Sequence, residues 1–183
     1  QETGATIYTS KGVGANYPHK GFDDGDSFKM NNVIFSAINT PGHSPDSICI
    51  LTKSTNGNKQ ILFTGDTLFI GNVGRPDLRE DVGNMKATRK SLAKSMYHTI
   101  QNKFTNLPDD VLIYPAHGAG SLCGKNMSSA SSSTLGNERI GNWAFKPQTE
   151  DEFVDELLED QPFIPSYFGY DVDTNKKGAK KFM

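Results

Sequence analysis

The stretch "NNVIFSAINTPGHSPDS", residues 31–47, decides the fold of this chain because it joins an apolar run to a histidine on a turn. The apolar run predicts a β-strand. The strand must end before Pro41, since proline has no N–H to donate to the ladder of a sheet. His43 therefore lies just past a strand end, on a tight loop of the kind that presents binding and catalytic groups.

Two later segments repeat this arrangement. The run "KQILFTGD" ends at Asp66, and "VLIYPAHG" leads to His117. If the three strands neighbour each other in one sheet, the three side chains converge at one edge. A single histidine at a strand end is more often a hydrogen-bonded loop residue, but the joint pattern favours a metal site. Imidazole and carboxylate ligands suit Fe(II), which then allows O₂ chemistry, or Zn(II), which activates water, and residue types alone do not choose between them.

The remaining patterns predict a mixed α/β fold. Strands dominate the first half, and "SFKMNNVIFSAINT" is typical of a hairpin. Apolar residues recur at helical spacing over residues 85–104. The segment "TEDEFVDELLED" predicts a second helix, with Thr149 and Glu152 as a capping box. A helix between strands that end in polar groups indicates an α/β layout with several hairpins.

Composition excludes several classes of protein. The chain has 183 residues, which suits one domain or a domain with a tail, and its net charge of −2 argues against nucleic acid or a membrane surface as a partner. No run approaches the roughly 20 apolar residues of a transmembrane helix. The 2 cysteines are too few for a disulfide framework, so a cytoplasmic location is predicted.

The three motifs "TPGHSPDS", "LFTGDTLF" and "IYPAHG", in this order and spacing, resemble the metallo-β-lactamase superfamily. The resemblance implies an αβ/βα sandwich. "TGDTLFIGNVGRPDL" and "YHTIQNKFTNLPDDVLIYPAHG" resemble its persulfide dioxygenase branch, which is close to glyoxalase II. "AHGAGSLCGKNMSSASSSTLGNER" is similar to bacterial members that carry a rhodanese domain after the metal domain.

One departure from this family pattern concerns the metal site. The superfamily motif His-X-His-X-Asp-His, expected upstream of the three motifs, does not occur in the chain. We therefore expect residues 1–160 to be a partial metallo-β-lactamase-like domain, incomplete at its N-terminal end. Residues 161–183 are expected to be a tail or linker toward a rhodanese domain. Missing strands would expose a sheet, through which we expect the chain to form homo-oligomers or to bind a retained N-terminal fragment.

The resemblance implies an enzyme that oxidises glutathione persulfide, or a related small persulfide, with O₂ to sulfite and the free thiol. One Fe(II) would be bound by His43, Asp66 and a histidine of the absent motif. His117 matches a second-metal ligand of the two-zinc hydrolases and would be a second-sphere or substrate-side group in the iron branch. We expect residues 1–183 alone to hold little or no metal and to be inactive. The alternatives are a two-zinc thioester hydrolase of glyoxalase II type and a non-catalytic sulfur-carrier or scaffold module.

Two further residues are candidates for substrate contact. Arg75 lies in "VGRPD", and its guanidinium could bind the carboxylates of glutathione or form a structural pair with Asp77. Cys123 follows His117 on the next loop and could accept sulfane sulfur if its pKa were lowered. The alternative for Cys123 is an ordinary loop cysteine.

Overall fold

The computed structural model describes residues 3–79, 88–125, 127–161 and 163–178. In chain order its strands are β1 (Tyr8–Thr9), β2 (Lys20–Gly21), β3 (Ser27–Met30), β4 (Val33–Asn39), β5 (Ile48–Ser54), β6 (Gln60–Gly65), β7 (Leu68–Phe69), β8 (Asn72–Val73), β9 (Leu112–Pro115) and β10 (Ser133–Thr134). Its helices are α1 (Arg89–Asn102), α2 (Leu135–Gly141), α3 (Glu150–Leu158) and α4 (Phe168–Lys177).

Six of the strands form one sheet in the order β10-β9-β6-β5-β4-β3. Neighbouring strands are antiparallel except β6 and β9, which are parallel. β4, β6 and β9 consequently run in the same direction, and their carboxyl ends lie at the same edge of the sheet. The shared direction of these three strands thus brings the loops that follow them to the same edge of the sheet.

The predicted β3–β4 hairpin is confirmed. Met30 pairs with Val33 across a two-residue turn, and Asn31 in that turn has a φ of 51°. Asparagine tolerates this left-handed conformation better than most residues, because its short polar side chain can hydrogen-bond locally. The turn fixes the register of β4 and therefore the point at which β4 ends.

Helices α1 and α3 pack against one face of the sheet and bury the core. The sheet contributes Cys49, Leu62 and Ile113, and the helices contribute Ala93, Met96, Ile100, Phe153, Val154 and Leu157. Removing such side chains from water is the main favourable contribution to folding. The mixed α/β class predicted from the sequence is confirmed.

Helix α3 begins where its capping box predicted. Thr149 accepts a hydrogen bond from the backbone N–H of Glu152, and the Glu152 carboxylate accepts one from the N–H of Thr149. The predicted helix over residues 85–104 appears as α1 with Thr88 as its N-cap, and residues 80–87 lie outside the described part of the chain.

The opposite face of the sheet carries a row of apolar residues. Ile50, Phe63 and Tyr114 are neighbours on β5, β6 and β9, and Phe63 and Tyr114 are 44% and 38% exposed. A contiguous exposed apolar surface of this kind often marks an interaction site. The predicted self-association through an exposed sheet would use this row, and it stays a prediction.

The segment expected to be a tail or linker contains helix α4. Its last turn carries Lys176, whose carbonyl accepts a hydrogen bond from the N–H of Asn16 at 2.9 Å, and it ends at Gly178 with a φ of 85°. A basic last turn followed by a left-handed glycine favours a helix end. The link to a rhodanese domain stays a prediction. In the described ranges, none of the helices combines the length and apolar character that crossing a membrane requires.

Candidate metal centre

His43 lies on the loop that follows β4, and this loop packs directly on α1. A Cβ atom on Gly42 would lie 2.7 Å from Cβ of Met96, so only glycine allows this approach. The hydroxyl of Thr99 also donates to the carbonyl of Pro41 at 2.7 Å. Helix α1 therefore fixes the loop at Pro41 and Gly42, directly before His43, at the edge of the sheet.

The orientation of the His43 ring is set by a backbone carbonyl. Nδ1 lies 2.8 Å from the carbonyl oxygen of Arg75. Because a carbonyl can only accept, Nδ1 carries a proton, and in the neutral ring Nε2 keeps the lone pair that a metal would bind. This is the arrangement that metal-ligating histidines have in proteins, with the second ring nitrogen bonded to a carbonyl or carboxylate.

Asp66 follows β6 and stands between the two imidazoles. Its Oδ2 lies 3.5 Å from Nε2 of His43, and its Oδ1 lies 3.3 Å from Nε2 of His117. Oδ1 is buried and has no hydrogen-bond partner among the described residues. A buried carboxylate oxygen that accepts no hydrogen bond is costly, and a cation bound between it and Nε2 of His117 would satisfy it.

The Asp66 turn is fitted closely to the loop that follows β8. A Cβ atom on Gly74 would lie 1.8 Å from the carbonyl oxygen of Asp66, so no larger residue fits there. Within the turn, the hydroxyl of Thr64 donates to the carbonyl of Leu68 at 2.6 Å, and the hydroxyls of Thr67 and Thr40 are 2.9 Å apart. Thr64 and Thr67, on either side of Asp66 in the sequence, thus stabilise the turn.

His117 follows β9 and reaches the same edge because β9 is parallel to β6. The N–H of Ala116 donates to the carbonyl of Gly65 at 3.0 Å, which holds the two loops side by side. The His117 side chain is 42% exposed and lies beside a cleft of about 440 Å³, which small residues of the loops 118–119 and 129–131 also line. His43 and His117 thus face different oxygens of one carboxylate.

Arg75 is buried, and its side chain is only 1% exposed. Its Nε and Nη2 donate to the two oxygens of Asp77 at 2.8 and 2.6 Å. The structural pair considered from the sequence is therefore present, while contact of Arg75 with a substrate stays a prediction. The backbone of Arg75 contacts two other loops. Its carbonyl accepts a hydrogen bond from Nδ1 of His43, and its N–H donates one to the carbonyl of Cys123 at 3.0 Å.

Cys123 lies closer to the two predicted ligands than its position in the sequence indicates. Its Sγ, a ligand atom of Asp66 and one of His117 all lie within 4.8 Å of one another. Burial is the main cause that raises the pKa of the Cys123 thiol, and the nearby Asp66 carboxylate raises it further. The sulfur-accepting role requires a lowered thiol pKa, and burial acts in the opposite direction. That role of Cys123 stays a prediction.

A second cavity, of about 290 Å³, opens on the His43 side. Asp46 and Phe168 line it together with His43 and Asp66, and Oδ1 of Asp46 is buried without a hydrogen-bond partner in the described ranges. Sequence reasoning missed both of these residues. Asp46 had a signal, since it lies in the same motif "GHSPDS", but Phe168 had none because it comes from α4.

The donor set fits a divalent transition metal. Two imidazoles, one carboxylate and one thiol are available, and they suit Zn(II) or Fe(II) better than a hard cation such as Mg²⁺. Oδ1 of Asp66, which accepts no hydrogen bond among the described residues, and the tautomer that the Arg75 carbonyl selects for His43 agree with this fit. The roles of His43, Asp66 and His117 as metal ligands stay predictions.

Comparison with known proteins gives consistent matches. The model of the metallo-beta-lactamase superfamily matches residues 5–117. Human mitochondrial persulfide dioxygenase ETHE1 is 33% identical over 95 residues, which are 52% of this chain and 32% of that protein. Hydroxyacylglutathione hydrolase of Pseudoalteromonas translucida is 37% identical over 106 residues, 56% of this chain and 34% of the relative. The chain spans about a third of the length of these curated relatives.

Among solved structures, a metallo-beta-lactamase from Staphylococcus aureus subsp. aureus COL superposes with a TM-score of 0.88. It is 33% identical to this chain, and the match covers 100% of this chain and 55% of that one. The arrangement of strands and helices in the described ranges is therefore shared with that structure.

Proposed function

Because the chain belongs to the metallo-beta-lactamase superfamily, we propose that His43 and Asp66, at the ends of two strands, form part of the Fe(II) centre of a persulfide dioxygenase. The observation that carries the proposal is the position of Asp66 between His43 and His117, whose Nε2 atoms lie 3.5 and 3.3 Å from its two oxygens. The match to human persulfide dioxygenase supports the choice of reaction.

The proposed reaction converts a persulfide, dioxygen and water into the free thiol, sulfite and two protons. Fe(II) bound by two histidines and a carboxylate keeps open positions and supplies the O₂ chemistry. His43 and Asp66 would provide two of these three ligands. The third is expected from the His-X-His-X-Asp-His motif of the superfamily, which does not occur in residues 1–183.

The contribution of this chain is to fix its two ligands before metal binds. The Arg75 carbonyl holds the His43 ring in one tautomer and one orientation. The Gly74 contact holds the backbone of Asp66. Preorganised ligands lose little conformational entropy on binding, and oriented reactants meet in a productive geometry. The cavity that His43 and Asp66 line leaves room for part of a thiol carrier.

We also propose that residues 1–183 alone bind Fe(II) weakly and turn over slowly. Loss of a ligand weakens a metal site, because metal affinity depends on the number of ligands held in the right geometry. Assays therefore need two samples: residues 1–183, and any longer product of the same gene that contains them. A difference between the samples would measure what the additional residues contribute.

The experiment that tests the function uses two substrates on each sample. Fe(II)-loaded protein is expected to consume O₂ and form sulfite with glutathione persulfide, and to release little thiol from S-lactoylglutathione. Asp66→Asn is the matched variant, since it keeps the shape of the side chain and removes its charge. The proposal fails if the sample that holds the most iron oxidises no persulfide.

A two-zinc thioester hydrolase is the second candidate. One observation favours it: His43 and His117 face different oxygens of Asp66, which is how a carboxylate shared by two metals would be flanked. The match to hydroxyacylglutathione hydrolase points the same way. Zinc-loaded protein would then release thiol from S-lactoylglutathione without consuming O₂. A non-catalytic sulfur-carrier module would instead keep its function in His43→Ala.

A further inference from the structure

Three different donor atoms converge on the His117 side of Asp66. Oδ1 of Asp66, Nε2 of His117 and Sγ of Cys123 belong to loops that are far apart in the sequence, and their ligand atoms lie within 4.8 Å of one another. Among the described residues, this is the group of histidine, cysteine and acidic side chains close enough to hold one ion. His43 is not a member, because it faces the other oxygen of Asp66.

The spacing of the two hard donors agrees with a tetrahedral ion. Metal–ligand distances of about 2.0–2.1 Å put two tetrahedral ligands about 3.3 Å apart. Nε2 of His117 and Oδ1 of Asp66 are 3.3 Å apart, yet Oδ1 has no hydrogen-bond partner in the described part of the chain. The two groups are thus spaced like ligands of one ion.

The backbone of Cys123 is held in place from two directions. Its carbonyl accepts from the N–H of Arg75 at 3.0 Å, and its own N–H donates to the hydroxyl of Ser121 at 3.1 Å. The Arg75 guanidinium also donates to the carbonyl of Leu122 at 3.2 Å. The same arginine that orients His43 therefore fixes the position of the Cys123 backbone.

The next residue restricts the loop further. A Cβ atom on Gly124 would lie 3.0 Å from the ring of Phe69, so the loop passes very close to β7. Phe69 is fully buried, and its ring centroid lies 6.3 Å from that of His117. One aromatic side chain thus packs against the loop of Cys123 and near the ring of His117, which keeps the two donors together.

We propose that Cys123 is a metal ligand, and that its thiolate, Oδ1 of Asp66 and Nε2 of His117 form a site for a borderline-soft divalent ion such as Zn(II). Three protein ligands and one open position are typical of zinc sites that accept an exogenous ligand. Thiolate in the donor set favours zinc over hard cations.

This inference rests on the proposed metal centre, of which it names a further ligand, but not on the reaction catalysed. Burial raises the pKa of the Cys123 thiol in the metal-free chain. Binding does not require a preformed thiolate, because a coordinated divalent ion displaces the thiol proton. The site on the His117 side would share only Asp66 with the proposed iron position on the His43 side.

Cobalt(II) is the probe for the first experiment, because thiolate bound to this ion gives an intense near-ultraviolet charge-transfer band. The unsubstituted chain is titrated beside Cys123→Ser, with Cys49→Ala as the control. Cys49 is the other cysteine, and it is fully buried in the core. We expect the band in the unsubstituted chain and in the control, its loss in Cys123→Ser, and a Kd for Zn(II) at least about tenfold weaker in that variant.

His43→Ala tests whether the site on the His117 side of Asp66 binds metal without His43. The cobalt–thiolate band is expected to persist in this variant. Cobalt binding without the band in the unsubstituted chain would overturn the role of Cys123 and leave the proposed function intact. Binding of neither Co(II) nor Zn(II) by residues 1–183 would overturn the thiolate site. A gene product that oxidises persulfide but contains no iron would instead contradict the proposed function.

A second experiment needs no substitution and is therefore independent of folding defects. Iodoacetamide modifies accessible thiols, and mass spectrometry follows the peptide that contains Cys123. Zn(II) is expected to slow this modification by at least about tenfold, because a metal-bound thiolate is a poor nucleophile compared with the free thiolate. An unchanged rate at saturating Zn(II) would contradict the proposal.

Discussion

The Nδ1–H of His43 donates to the main-chain carbonyl of Arg75 at 2.8 Å, although the two residues belong to different loops. The side chain of Arg75 is held by both oxygens of Asp77, so the residue whose carbonyl orients His43 is anchored by a buried ion pair. The Arg75–Asp77 ion pair is thereby connected to the orientation of His43, a predicted metal ligand.

The buried pair predicts a large effect of Asp77→Asn. Removal of one partner leaves the Arg75 charge buried and uncompensated, which costs about 3–5 kcal/mol of unfolding free energy. Urea unfolding measures this loss. Lys103→Met is the control, since the Lys103–Asp24 pair lies at the surface and exposed pairs contribute about 0–1 kcal/mol. Equal effects of the two substitutions would argue against a structural role of the buried pair.

Gly74→Ala tests the close approach of two loops. The added Cβ would meet the Asp66 carbonyl oxygen at 1.8 Å, so the Asp66 turn must move. Overpacking of this kind costs about 1–3 kcal/mol and should weaken Co(II) binding at the same time. Gly57→Ala, whose added atom has open space, is the matched control. Calorimetric melting and a cobalt titration give the two readouts, and unchanged metal affinity would show that the turn does not position Asp66.

His43→Ala is expected to lower the iron content and the Fe(II) affinity of the gene product by at least about tenfold, because a ligand is removed. His98→Ala serves as the control. His98 pairs with Glu150 at 2.8 Å, away from the strand ends, and should not affect metal. Plasma emission analysis of both variants measures bound iron. Equal iron in His43→Ala and the unsubstituted protein would remove His43 from the site.

The exposed row on the sheet predicts self-association of residues 1–183. The row has 2 large exposed aromatic rings, those of Phe63 and Tyr114. Phe63→Ser removes one of them and should shift the mass measured by light scattering toward that of the monomer. Ile140→Ser is a suitable control, because Ile140 is 85% exposed but lies on α2. A monomer at high concentration for the unsubstituted chain would contradict this prediction.

The convergence of His43, Asp66 and His117 could be predicted from the sequence because each follows an apolar strand and the strands share a direction. The capping box of α3 was equally readable, since it depends on residues three positions apart. Local patterns of this kind carry their own structural information.

Other features depend on contacts between distant segments, and no local pattern records them. The proximity of Cys123 to Asp66 arises from the Arg75 backbone, which joins two loops. The sequence likewise left two roles open for Arg75, and only its burial against Asp77 revealed the pair. Helix α4 follows a segment rich in proline, which local reading favours as a linker.

The measurement that tests the central claim most directly is the stoichiometry of oxygen consumption and sulfite formation. It uses the Fe(II)-loaded gene product that contains residues 1–183, with glutathione persulfide as the substrate. We expect equal amounts of O₂ consumed and sulfite formed, and loss of both in Asp66→Asn. Release of thiol from S-lactoylglutathione without oxygen consumption, or persulfide oxidation that persists in Asp66→Asn, would contradict the account.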